Sequence, residues 1–189
     1  QGKCSRNFYE ESVHIRDTKL LAAQKGYNAL MASIKLPERV EGKRVAIIGG
    51  GPTGIAAAYF CGRAGIETTI FERESCLGGV PRHVIPSFRI ANEAIEKDIA
   101  LMERYGVEVR YVTAETQAVV GKASLTLYPP VGEGGENELG LTILCSAGEF
   151  DTLITGDMDS RTERVLVSSY PLPDIEVLLV GHHGSRYST

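Results

Sequence analysis

Three glycines, Gly49, Gly51 and Gly54, form a G-x-G-x-x-G run with Pro52 and Thr53 inside it. The run lies between an apolar stretch, "RVAIIG", and a helix-forming one, "GPTGIAAAYFCGRAG". That setting gives each glycine a task. Gly49 permits a tight turn, Gly51 lets a pyrophosphate approach the backbone, and Gly54 lets helix and strand pack closely. The helix N-terminus offers N–H groups and a partial positive charge to the phosphates. Glu72 lies 21 residues beyond Gly51, at the end of the next apolar run and just before Arg73. A carboxylate there can accept hydrogen bonds from a ribose diol. A glycine-rich turn without ligand needs none of this context. Strand, helix and acid in register favour a dinucleotide loop.

A second set of residues could do different chemistry. Asp157 follows "FDTLITG", and His182 and His183 follow "IEVLLVG". Carboxylate and imidazole at two strand ends are suitable ligands for Zn²⁺ or Mn²⁺. The same residues also read as a turn former or helix cap and as solvated loop histidines.

The elements that must position these residues follow from periodicity. Short apolar runs predict three parallel strands, Arg44–Ile48, Glu67–Glu72 and Val107–Val112. A helix closed by Gly65 links the first two, giving a βαβ unit. "GGVPRHVIPSF" reads as a loop. A helix from about Ile90 to Tyr105 places Ile95, Ile99 and Met102 on one face and ends at Gly106. Beyond Val112 the pattern becomes a β-meander, with strands over 124–128, 141–146 and 151–155. Ser160 and Glu163 form an S-x-x-E capping box for a short helix to Tyr170, and 175–180 is the last strand. Upstream, Leu20, Leu21, Ala23, Tyr27, Leu30 and Met31 predict an amphipathic helix packing on the next domain. The fold class is therefore α/β, a partial Rossmann-like parallel sheet followed by a mixed β/α segment. The expected division is 1–42 as a helical approach segment, 43–112 as the dinucleotide unit and 113–189 as the second half-domain.

The stretch "GKRVAIIGGGPTGIAAAYFCGRAGIETTIFERESCLGGVPRHVIPSFRI" resembles the FAD-binding segment of the glutamate synthase small-subunit family, and "CSRNFYEESVHIRDTKLLA" resembles the linker before it. The resemblance covers roughly residues 3–110. It implies that Gly49, Gly51, Gly54 and Glu72 bind the ADP half of FAD, and that Gly78, Gly79 and Arg89 border the flavin side. It also implies an electron-transfer or completing partner subunit. The departures are specific. Only Cys4 stands where that family has a cysteine-rich iron–sulfur region, and no second G-x-G-x-x-G follows for NADPH. Cys76 has Pro81, not cysteine, at the partner position of the related redox disulfide.

Residues 118–189, ending "VLLVGHHGSRYST", look like the carboxy-terminal half of a metallo-β-lactamase-superfamily domain, and more narrowly that of competence-type DNA-uptake proteins. That resemblance implies a bridging metal ligand at Asp157 and a terminal one at His182, with His183 as the second choice. It would also place Ser185 and Arg186 near a nucleic-acid phosphate. The H-x-H-x-D-H motif of that superfamily is missing, since His14 and His83 lack the spacing. Two resemblances, each incomplete, make the chain look composite. The first expectation is an FAD-binding oxidoreductase module not competent alone. The alternatives are a metal-dependent phosphodiesterase or nuclease fragment and a composite or fusion chain without activity of its own.

Charge divides the same way. Residues 111–189 hold four basic and eleven acidic residues, against 16 and 13 before them, out of totals of 20 and 24. The overall charge of −4 does not indicate general nucleic-acid affinity. Four scattered cysteines read as free thiols. With a polar beginning and no long apolar run, a cytoplasmic setting is expected. Exposed sheet edges make oligomerisation an expectation too.

Overall fold

The computed structural model describes residues 2–135 and 138–188. The chain divides into two units, Gln1–Lys35 and Leu36–Thr189. In the first, a 3₁₀ turn at Ser5–Phe8 precedes helix α1, Ile15–Ser33. The helix forms where the leucine spacing predicts it, yet none of its residues is buried. No helix among the described residues is long and apolar enough to cross a membrane.

The second unit begins with the βαβ pattern. Strands β1 (Arg44–Ile48), β2 (Glu67–Glu72) and β3 (Glu108–Tyr111) pair in parallel, in the order β1-β2-β3. Helices α2 (Pro52–Arg63) and α4 (Asn92–Glu103) provide the crossovers, with a single turn, α3 (Val80–His83), between them. Alternation along the strands separates two faces. Ile70 on one face joins Ile55 and Ala58 of α2 and Ile95, Ile99 and Met102 of α4 in a core. The apolar positions of α4 recur at i, i+4 and i+7, so they form the single stripe that this core needs.

The opposite face does not meet helices. Phe71 and Val112, with Ala46 and Ile48, pack against Leu127, Ala118, Leu141 and Ile143 of a second sheet. That sheet has five strands in sequence order: β4 (Thr116–Val120), β5 (Ala123–Tyr128), β6 (Thr142–Ala147), β7 (Phe150–Ile154) and β8 (Val177–Leu179). The first four are antiparallel neighbours. Helix α5 (Ser160–Ser169) then crosses over, so β8 pairs with β7 in parallel. The outer face of this sheet buries Tyr128, Leu144 and Leu153 against Met158 and Leu166. The unit is thus four layers deep: helices, parallel sheet, mixed sheet, helix.

Two local expectations need correction. Strand β4 was not anticipated, although its turn carries a signal. Val120 pairs with Ala123, which leaves Gly121 and Lys122 as a two-residue hairpin loop, and Gly121 has a φ of 64°. Glycine is what such a loop asks for. The cap of α5 is shifted by one residue. Asp159, not Ser160, is extended, and its carboxylate accepts the Thr162 amide hydrogen bond at 2.8 Å. Ser160 is already helical, and its amide donates instead to the Tyr187 carbonyl. The Thr162 amide, and then its hydroxyl, hold the Asp159 carboxyl below its ordinary range.

Candidate nucleotide cleft

Strand β1 ends at Ile48, and the chain turns at Gly49 to start α2 one turn later. Gly51 is the N-cap and Pro52 opens the helix, where its missing N–H costs no hydrogen bond. Gly54 sits in the first turn, facing back onto the loop. A Cβ there would overlap the Gly49 carbonyl oxygen. This is the close helix–strand contact that the motif predicts.

A second glycine turn closes on the first. The Gly78 amide donates to the Gly50 carbonyl at 2.9 Å. Gly79 has a φ of 56°, and a Cβ on it would come within 2.8 Å of the Gly51 Cα. Arg82 braces this turn from behind. Its Nη1 donates to the Leu77 carbonyl at 2.8 Å, and its Nη2 pairs with Glu96 of α4.

Glu72 ties the two turns to β2. It is 5 % exposed. Its Oε2 accepts the Gly50 amide at 2.5 Å, and its Oε1 accepts the Glu74 amide at 2.8 Å. A buried carboxylate is tolerable only with such partners, and the adjacent α2 N-terminus adds favourable field. Arg73 follows, with Nε 3.2 Å from Glu74 and Nη1 donating to the Leu139 carbonyl.

These groups border one cleft of about 550 Å³ at the carboxyl ends of β1 and β2. In open parallel sheets this is where ligands bind. One wall is Gly49, Gly51, Pro52, Glu72, Arg73 and Gly79. The other wall comes from the mixed sheet and its strand ends: Ile143 of β6 and Ile154 of β7, with Gly140 and Leu141 just before β6 and Gly156 just after β7. Of the residues expected to form a dinucleotide site, Thr53, Gly54 and Gly78 do not line the cleft: Gly54 and Gly78 are buried and Thr53 is exposed. Arg89 is exposed and does not line the cleft. Sequence reasoning missed the apolar wall and the Arg73–Leu139 contact. Both join residues far apart in the chain, and no local pattern announces them.

The other constellation is partly assembled. The β7–α5–β8 crossover brings both strand ends to one side. The His182 amide donates to the Gly156 carbonyl at 3.0 Å. His183 Nε2 lies 3.8 Å from Asp157 Oδ1. His182 and His183 both have positive φ, 50° and 57°. Among the described residues, however, no group of three or more His, Cys, Asp or Glu side chains is placed to hold a metal ion. The expected Zn²⁺ or Mn²⁺ site therefore has at most two ligands, too few for a shell. The four cysteines are free thiols.

Residues 44–88 match the family model described as FAD dependent oxidoreductase. The putative oxidoreductase YgfK of Escherichia coli (strain K12) is 40 % identical over 112 residues, covering 59 % of this chain and 11 % of that protein. The glutamate synthase [NADPH] small chain of Bacillus subtilis (strain 168) is 30 % identical over 108 residues, covering 57 % of this chain and 22 % of that one. The chain thus spans between about a tenth and a quarter of these relatives' lengths. Among solved structures, Lactococcus lactis thioredoxin reductase aligns with 46 % of this chain and 30 % of that one, at 25 % identity and a TM-score of 0.35, a likeness too slight to build on. The sequence relatives support an FAD-dependent oxidoreductase relationship for the glycine-loop region. Nothing in them supports the metallo-β-lactamase resemblance.

Proposed function

We propose that the cleft binds the ADP half of FAD, and that the chain is an FAD-binding oxidoreductase module which transfers electrons only with a completing partner. The observation that carries this reading is Glu72. It is a buried carboxylate on the cleft wall, held by the Gly50 and Glu74 amides beside the N-terminus of α2. The ribose diol would reach Glu72, and the diphosphate would lie over Gly49, Gly51 and Gly79. When bound, FAD supplies the electron-carrying ring. This chain's residues supply binding and orientation. The partner is suggested by the name "small chain" of the Bacillus subtilis relative. Titration with FAD, followed by flavin fluorescence, should show saturable binding that ADP reverses. A chain that binds neither FAD nor ADP overturns the reading.

A further inference from the structure

The two sheets differ in width, and the cleft lies where they cease to match. Five strands face three. Leu127 of β5 and Ile143 of β6 are cross-strand neighbours, and both pack on the parallel sheet. Continuing along the same row, Ile143 pairs with Ile154 of β7, and Ile154 with Leu179 of β8. Ile143 and Ile154 line the cleft, whereas Leu179 lies past it and is 46 % exposed. The mixed sheet therefore overhangs the carboxyl ends of β1 and β2, with aliphatic side chains facing the glycine loop.

That arrangement divides the chemistry of the cleft. Amides, glycines and the Glu72 carboxylate on one wall suit a sugar and a diphosphate. The side chains of Leu141, Ile143 and Ile154 on the other offer no donor or acceptor. A sugar or phosphate pressed there would lose its hydrogen bonds to water, whereas a planar ring would gain dispersion and lose only apolar surface. The family match ends at Phe88, so this wall lies outside the matched segment.

We infer that Ile143 and Ile154 form the seat for the aromatic base of a ribosyl diphosphate ligand, so that the mixed sheet determines which ring the glycine loop accepts. The inference rests on the ADP-binding reading. The probes are ADP, which carries the ring, and inorganic pyrophosphate, which does not, each titrated calorimetrically into the full chain. Ile154→Ala should weaken ADP about tenfold, the scale set by loss of a buried aliphatic contact, and leave pyrophosphate unchanged. Leu179→Ala, one strand further out, should change neither. If Ile154→Ala does not fold, Ile154→Thr, close in shape but polar, carries the same expectation. Undiminished ADP binding by the variant overturns the inference, as does an equal loss for pyrophosphate, which would mean a distorted glycine loop. Absence of ADP binding by the unaltered chain overturns the underlying reading itself.

Discussion

Glu72→Gln is expected to weaken ADP binding at least about tenfold and to cost about 2 kcal/mol of folding stability. Both effects have one origin. The carboxylate satisfies two backbone amides at once, Gly50 through Oε2 and Glu74 through Oε1. An amide side chain has one oxygen, so one backbone N–H would face an NH₂ group and stay unpaired in a site that is 5 % exposed. The ribose diol would also lose the charged half of its hydrogen bonds. Glu72→Asp separates the two contributions. It keeps the charge, but its shorter arm cannot reach both amides, so stability should fall while some preference for the ribose survives. Urea unfolding and ADP titration on the same preparations check both effects. Unchanged ADP affinity in Glu72→Gln would remove Glu72 from the site.

Gly54→Ala should be harsher on the fold than any change on the cleft surface. One methyl group would overlap the Gly49 carbonyl oxygen, which is backbone and cannot rotate away. The first turn of α2 would have to lift from the end of β1. Ile55 and Ala58, one and four residues on, would then leave their places against Ile70. A loss of about 4 kcal/mol, the scale of severe core damage, is expected, or a chain that does not fold. Denaturant unfolding measures it. A cost below about 1 kcal/mol, the ordinary scale for a tolerated substitution, would show that the helix does not approach the strand as described.

What the sequence made legible is local. The glycine loop, the acid ending β2 and the Ile95–Ile99–Met102 stripe are short-range patterns, each fixed by one turn or one helix face. They reappear where expected. The Asp159 cap was misplaced by one residue because Ser160–Glu163 imitates a capping box, while the extended backbone lies one position earlier. Strand β4 is marked by its glycine turn more than by its own five residues. The apolar wall was not legible at all. Ile143 and Ile154 share a cleft with the glycine loop only because Phe71, Val112 and Leu127 join the two sheets into one core. The sequence suggested two unrelated halves, and packing of this kind leaves no periodic trace. Asp157 and His183 show the reverse case. Their placement at adjacent strand ends was foreseen, yet proximity of two ligands does not make a metal site.

The central claim is that the cleft reads an unphosphorylated adenosine ribose through Glu72. Its most direct test is calorimetric titration of the unaltered chain with ADP and with 2′-phospho-ADP. One ADP per chain is expected, with binding at least about tenfold weaker for the 2′-phosphate. A second anion would press on the buried Glu72 carboxylate, whose oxygens accept the Gly50 and Glu74 amides, while Arg73 on the same wall is engaged by Glu74 and the Leu139 carbonyl. Equal or tighter binding of 2′-phospho-ADP would contradict it.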